Sequence, residues 1–262
     1  MFQLQLDSAL SRSLSHNLTD HLSIRTHYDM SEHETYYLSS KHADILEKED
    51  VTRACFRLKT LLRLLNSSLS LCGSSFEWKL KNSPVVESLG FFYIDERDDA
   101  TRIYPEPSLE IELEELENPF ENSVEIDFRN GIELRRNKIM HLAFLDPLVR
   151  ENLLLYSLSN EDPLYILVNI YKILDTIKFD KASNLSQVEP SKITGLNAQI
   201  ARFESENLRH FINTRDGSGF LARHGADQKV FRKSKPTFEQ LIDATHDLLN
   251  TWIDIKLSIN SL

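Results

Sequence analysis

The chain has 262 residues, 41% of them hydrophobic and 27% charged, with a formal net charge of −10. These values exclude a chain disordered throughout and fit one large domain or two modest ones. No apolar run approaches the roughly 18 to 20 residues that span a bilayer, and the opening MFQLQLDSALSRS lacks the basic flank and apolar block of a secretory leader, so a cytoplasmic protein with no membrane partner is expected.

Residues 2 to 40 mix serines with scattered apolar side chains and read as α+β edge material, with a strand over Thr35 to Ser39. From Asp50 to Leu71, Val51, Ala54, Cys55, Leu58, Leu61, Leu62 and Leu65 follow helical spacing, while Arg53, Arg57, Lys59 and Arg63 populate the other face. Cys55 and Cys72 are the only cysteines, which leaves neither a disulfide framework nor a cysteine metal site.

Strand-like sequence follows over Val85 to Ile94. Leu109, Ile111 and Leu113 then alternate with glutamates, and Val124, Ile126 and Phe128 alternate with Glu125 and Asp127, the period-two pattern of half-buried strands. Asn130-Gly131 is the dipeptide of a tight hairpin turn. The region from Ile103 to Phe128 has nine acids and no Lys or Arg, so the rest of the chain is only slightly acidic. These acids are expected to form a solvated outer sheet face that discourages edge aggregation, or to meet a basic partner.

Beyond about residue 135 the period becomes 3.6. Asp146-Pro147 opens a helix through Leu158 as N-cap and first-turn proline. A second runs from Asp162 to Lys178, with Tyr171 on its apolar side, and a third from Pro190 to Asn213. The fourth starts with Thr237 and Gln240 at capping-box spacing and passes through Trp252. The expected fold is α+β, with a mixed helix and antiparallel sheet region over 1–134 and a four- or five-helix bundle over 135–262.

Arg202 to Lys235 carries eight basic and four acidic residues, and Gly217, Gly219 and Gly225 fall within it. Clustered glycine permits close approach to a ligand, and arginine supplies planar donors for phosphate or carboxylate. Gly217-Ser218-Gly219 lacks the third glycine and the Gly-Lys-Ser/Thr of nucleotide loops. His-Glu-x-x-His and Gly-x-Ser-x-Gly are absent, and the N-terminal histidines have no spacing on which three would converge, so no metal and no cofactor is expected.

Arg136-Asn137-Lys138-Ile139-Met140-His141 places a polar residue directly after an arginine and a histidine after four intervening residues. This order resembles the Arg-polar-x-x-x-His motif of HEPN domains, four- or five-helix bundles that often act as metal-independent RNases in toxin and phage-defence systems. The helix order over about residues 146 to 258, the Leu221-Ala222-Arg223-His224-Gly225 segment and the closing Trp252 are similar to bacterial HEPN-like proteins. The six-residue motif precedes the bundle, whereas the family's lies late in it. The basic loop has that late position, but eight residues separate Arg215 from His224.

The resemblance implies a homodimeric endoribonuclease with one of two sites. In the loop, His224 would be the general base, with Arg223 and Arg215 on phosphate. In the other, His141 takes the base role, Arg136 the phosphate and Asn137 the orienting hydrogen bond. Arg209, His210, Lys229, Arg232 and Lys233 would add contacts to RNA. The rival expectation is a non-catalytic binding or regulatory module whose basic loop recognises RNA or an acidic protein partner.

Overall fold

The alternation of buried Phe2, Leu4 and Leu6 with Gln3 and Gln5 sets the first strand with one face inward. The computed structural model describes residues 1–7, 14, 18–28, 34–72, 86–95, 100–126, 134–224, 230 and 235–262. Strands β1 (Phe2–Leu6), β2 (Ser23–Tyr28), β3 (Glu34–Ser39), β4 (Ser88–Ile94) and β5 (Ala100–Arg102) form an antiparallel sheet in the order β2-β3-β1-β4-β5. The helices are α1 (Lys41–Asp44), α2 (Val51–Cys72), α3 (Leu109–Glu117), α4 (Arg135–Leu145), α5 (Pro147–Glu161), α6 (Ile166–Ser183), α7 (Pro190–Ser205), α8 (Leu208–Asn213), α9 (Arg215–Ser218) and α10 (Phe238–Ile259). The fold is therefore α+β with a helical C-terminal region. Internal contacts divide the chain into two units, Met1–Ser68 with Pro84–Leu145 and Leu69–Ser83 with Asp146–Leu262. Among the described residues, no helix is long and apolar enough to cross a membrane.

In the first unit, the inward side chains of β1, β3 and β4 and the row Ala54, Leu58, Leu61 and Leu65 of α2 make the core. Asn66 ties α2 to the approach of β4: its amide donates to the Val86 carbonyl at 3.0 Å and accepts the Val86 N–H at 2.8 Å.

The strand expected over Leu109 to Leu113 is a helix. Leu and Glu favour helices and Glu is depleted in strands, Ser108 caps the first turn by accepting the Ile111 N–H, and Glu110 and Glu112 sit at the positive end of the dipole. Burial follows the partner's charge rather than the apolar alternation, since Leu109 and Leu113 are exposed while Glu115 is 1% exposed. The Arg57 guanidinium donates to both Glu115 oxygens at 2.7 and 3.0 Å, and Arg53 donates to Glu115 at 2.9 Å and to Glu114 at 2.7 Å. Glu114 and Glu115 thus answer the basic face of α2, and Leu109 to Glu117 is a helix rather than an outer sheet face. Val124 to Ile126 also forms no strand, while Phe128 and the Asn130-Gly131 turn lie outside the described residues.

In the second unit, α5 packs on α6, α7 on α10, and α8 on both α6 and α7. Asp146 caps α5 by accepting the Leu148 and Val149 N–H groups, and Thr237 and Gln240 form the reciprocal box that starts α10. The helix expected from Pro190 to Asn213 is broken at Asn207, whose φ of 59° is one that Asn tolerates, giving α7 and α8. A buried polar knot locks the unit: Asp180, fully buried on α6, accepts from Trp252 Nε1 at 2.8 Å and Lys256 Nζ at 3.1 Å, and Lys256 also meets Asp146 at 2.7 Å.

Removing one member of a buried pair strands the other charge. Glu115→Leu is therefore expected to lower unfolding free energy by about 3–5 kcal/mol, whereas Arg57→Met with Glu115→Leu recovers most of that loss. Urea denaturation of the two variants checks this, and equal or additive losses would contradict it.

Candidate nucleic-acid interface

The two sequence-derived sites fall in very different surroundings. Arg136, Asn137 and His141 all lie on α4 of the first unit. The four-residue offset puts Asn137 and His141 on one helix face. That face is inward, with Asn137 1% and His141 6% exposed, and Arg136 is half-buried. His141 stacks on His21 at 5.9 Å between centroids and on Phe144 at 6.0 Å. His21 in turn stacks on His42, and Phe120 meets both edge-on. Two of the N-terminal histidines, His21 and His42, thus meet His141, because β-sheet connections and α4 return distant segments to one place.

Tautomers in this cluster are fixed by one backbone group. The Glu121 N–H donates to His42 Nδ1 at 2.9 Å, so the His42 proton is on Nε2 and is donated to His21 Nδ1 at 3.0 Å. Burial, with the nearby His42, His141 and Lys41, lowers His21 to about 3. Burial and the Arg57 guanidinium lower His42 to about 4, and burial alone lowers His141 to about 4. A neutral imidazole among stacked rings is a packing element, and its weak basicity and burial make it a poor acceptor of a substrate proton. Among the described residues, no group of three or more His, Cys, Asp or Glu is arranged to hold a metal ion.

The other candidate lies at one end of the second unit. Arg209, Arg215, Arg223 and His224 are exposed and His210 is half-buried; Lys229, Arg232 and Lys233 lie outside the described residues. The Arg223 guanidinium is 3.6 Å from the centroid of Tyr171 on α6 and donates weakly to Asn213 Oδ1 at 3.4 Å. Arg209 donates to Glu204 at 2.9 Å and also hydrogen-bonds Tyr171, which together raise its already high pKa. Arg202 is held by Glu206 and Asp247, so the local positive charge is concentrated at Arg215, Arg223 and their neighbours. Phe220 is 88% exposed beside them in sequence.

The return of the chain is pinned rather than loose. The Arg223 N–H donates to the Ile212 carbonyl at 2.9 Å and the His224 N–H to the Asn213 carbonyl at 3.2 Å. Thr214 caps α9 by accepting the Gly217 N–H. A Cβ on Gly217 would lie 2.5 Å from the Phe211 carbonyl oxygen, and Gly219 has a φ of 63°, so both glycines serve the packing of α9 on α8 and the turn after it. Tyr171 was legible only as an apolar helix position; its half-exposed ring is the platform on which the arginines gather. No protein-family model, curated protein or solved structure matches the chain.

The histidine cluster makes stability depend on pH. Each ring takes a proton near 6.5 when unfolded but only near 3 to 4 when folded, so stability is full above about pH 6.5 and falls as the pH drops towards 4. His141→Phe preserves a stacking ring and removes one of three titrating groups. Its loss of stability between pH 7 and 5, measured by urea denaturation, is expected to be about one third smaller than that of the parent chain.

Proposed function

We propose that the helical unit binds RNA at the end where Arg223 and Arg209 gather about Tyr171, next to His224 in the chain. The observation that carries this reading is the Arg223 guanidinium lying 3.6 Å from the Tyr171 centroid while Arg223 itself remains exposed. A guanidinium stacked on one side offers its other face to a base and its N–H edge to a phosphate, the combination used on single-stranded RNA. The likeness of residues 146 to 258 to HEPN-like proteins supports RNA as the polyanion, and supports a homodimer acting in bacterial defence or as a toxin.

A second reading, metal-independent cleavage of that RNA, is favoured by the pinned backbone at Arg223 and His224, two exposed residues that supply a cation and an imidazole in succession along the chain. In that reaction His224 takes the 2′-hydroxyl proton and the 2′-oxygen forms a bond to the adjacent phosphorus. Arg223 and Arg215 stabilise the charge on the phosphoryl oxygens as the bond to the 5′-oxygen breaks, and the leaving oxygen takes a proton from water. The products are a 2′,3′-cyclic phosphate and a 5′-hydroxyl. His141 is not used in either reading because of its burial.

Filter binding of single-stranded RNA over a salt series tests the first reading. Arg215→Gln with Arg223→Gln is expected to weaken binding at least tenfold and to flatten the slope of log K against log salt by about 0.7 per residue. Absence of binding at low salt, or capture of acidic peptides in preference to RNA, would overturn it. The same samples incubated in EDTA test the second: cleavage lost in His224→Ala and retained in His141→Ala supports it, and intact RNA in all samples rejects it.

A further inference from the structure

The first unit carries a cavity with a different character. Residues opposite one another in an antiparallel ladder share a sheet face, and here Arg25 is opposite Tyr37, Tyr37 opposite Gln5, and Gln3 opposite Phe92. Alternation along β1 places this set on the face away from Phe2, Leu4 and Leu6. A cavity of about 400 Å³ there is lined by Gln3, Arg25, His27, Tyr37, Ile94 and Asp95, a volume within the range of small-ligand sites.

Gln3 supplies the sharpest indication of a ligand. It is 2% exposed, its Nε2 donates to Met1 Sδ at 3.1 Å, and its Oε1 accepts no hydrogen bond among the described residues. A buried carbonyl without a donor is destabilising and rare, and an incoming N–H group would relieve it. Tyr37 offers an aromatic wall braced edge-on by Phe92 at 5.7 Å and 83°. Arg25 and His27 are exposed at the rim, where they can meet an anion. Acceptor, flat wall and cation together describe a planar N–H donor carrying a negative group.

We propose that this cavity binds a nucleotide, with the base against Tyr37, a base N–H donated to Gln3 Oε1, and the phosphate at Arg25 and His27. The proposal is independent of RNA binding at the Tyr171 end, which belongs to the other unit. A free nucleotide and one nucleotide of a longer chain share this chemistry.

Titration calorimetry of the full chain with AMP, CMP and an eight-residue oligoadenylate distinguishes the sources. Saturable binding of AMP or CMP assigns a free nucleotide, whereas oligomer binding that persists in Arg215→Gln with Arg223→Gln and is lost on adding Gln3→Leu assigns a nucleotide within a chain. In either case Gln3→Leu and Arg25→Gln are each expected to weaken cavity binding by about tenfold or more, read for the oligomer in the Arg215→Gln with Arg223→Gln background. Gln3→Leu is also expected to raise the thermal midpoint by about 2–4 °C, because an apolar side chain leaves no unpaired acceptor. Opposite signs for stability and affinity in one variant separate a ligand-facing group from a structural one. No binding of any probe at millimolar concentration, or binding indifferent to both Gln3→Leu and Arg25→Gln, overturns the proposal.

Discussion

A charge removed from water must be answered by another charge, and the Arg57–Glu115 pair imposes that condition on the first unit. Glu115 is 1% exposed and Arg57 6%, so neither could be buried alone without a large desolvation cost. Meeting the condition forces α3 against the basic face of α2. The same Arg57 donates to the His42 carbonyl at 2.7 Å, which joins the ion pair to the segment carrying α1. His42 then accepts the Glu121 N–H and donates its Nε2–H to His21, and the stacked rings continue to His141 on α4. One guanidinium therefore connects the acidic helix, the histidine cluster and the helix that bears the Arg136 to His141 segment.

The second unit solves the same problem with a single carboxylate. Asp180 is buried with Trp252 and Lys256 as donors, and Lys256 reaches the capping residue of α5. This fixes α6 relative to α10 and to the start of α5. Tyr171 lies on α6, so the helix whose last turn is locked by charge presents the ring on which Arg223 rests. Rigid support of this kind lets an exposed arginine keep a defined orientation, which lowers the ordering cost of contacting a flexible polymer.

Helical segments were legible in the sequence wherever apolar spacing and capping agreed, as at Asp146-Pro147 and at Thr237 with Gln240. The strand near Thr35 to Ser39 was legible as well. The alternating glutamates misled because period two in Leu109 to Glu114 reflects composition, while the residue that matters, Glu115, is set by a partner on α2. The convergence of His21, His42 and His141 could not be read from spacing, since it depends on tertiary returns of the chain. Glycines 217 and 219 were legible as special positions, but their reason is close packing on Phe211 and a positive φ rather than openness to a ligand. Tyr171 carried no signal beyond hydrophobicity, because a half-exposed aromatic and a core aromatic fit the same helical pattern.

RNA bound at the Tyr171 and Arg223 end of the helical unit would lie within bonding distance of the Tyr171 ring. Ultraviolet cross-linking of single-stranded RNA to the full chain, followed by mass spectrometry of the joined peptides, locates the bound strand. An adduct is expected on the peptide containing Tyr171, reduced when Arg223 is replaced by Gln. Efficient cross-linking confined to peptides from other parts of the chain would contradict binding at that end.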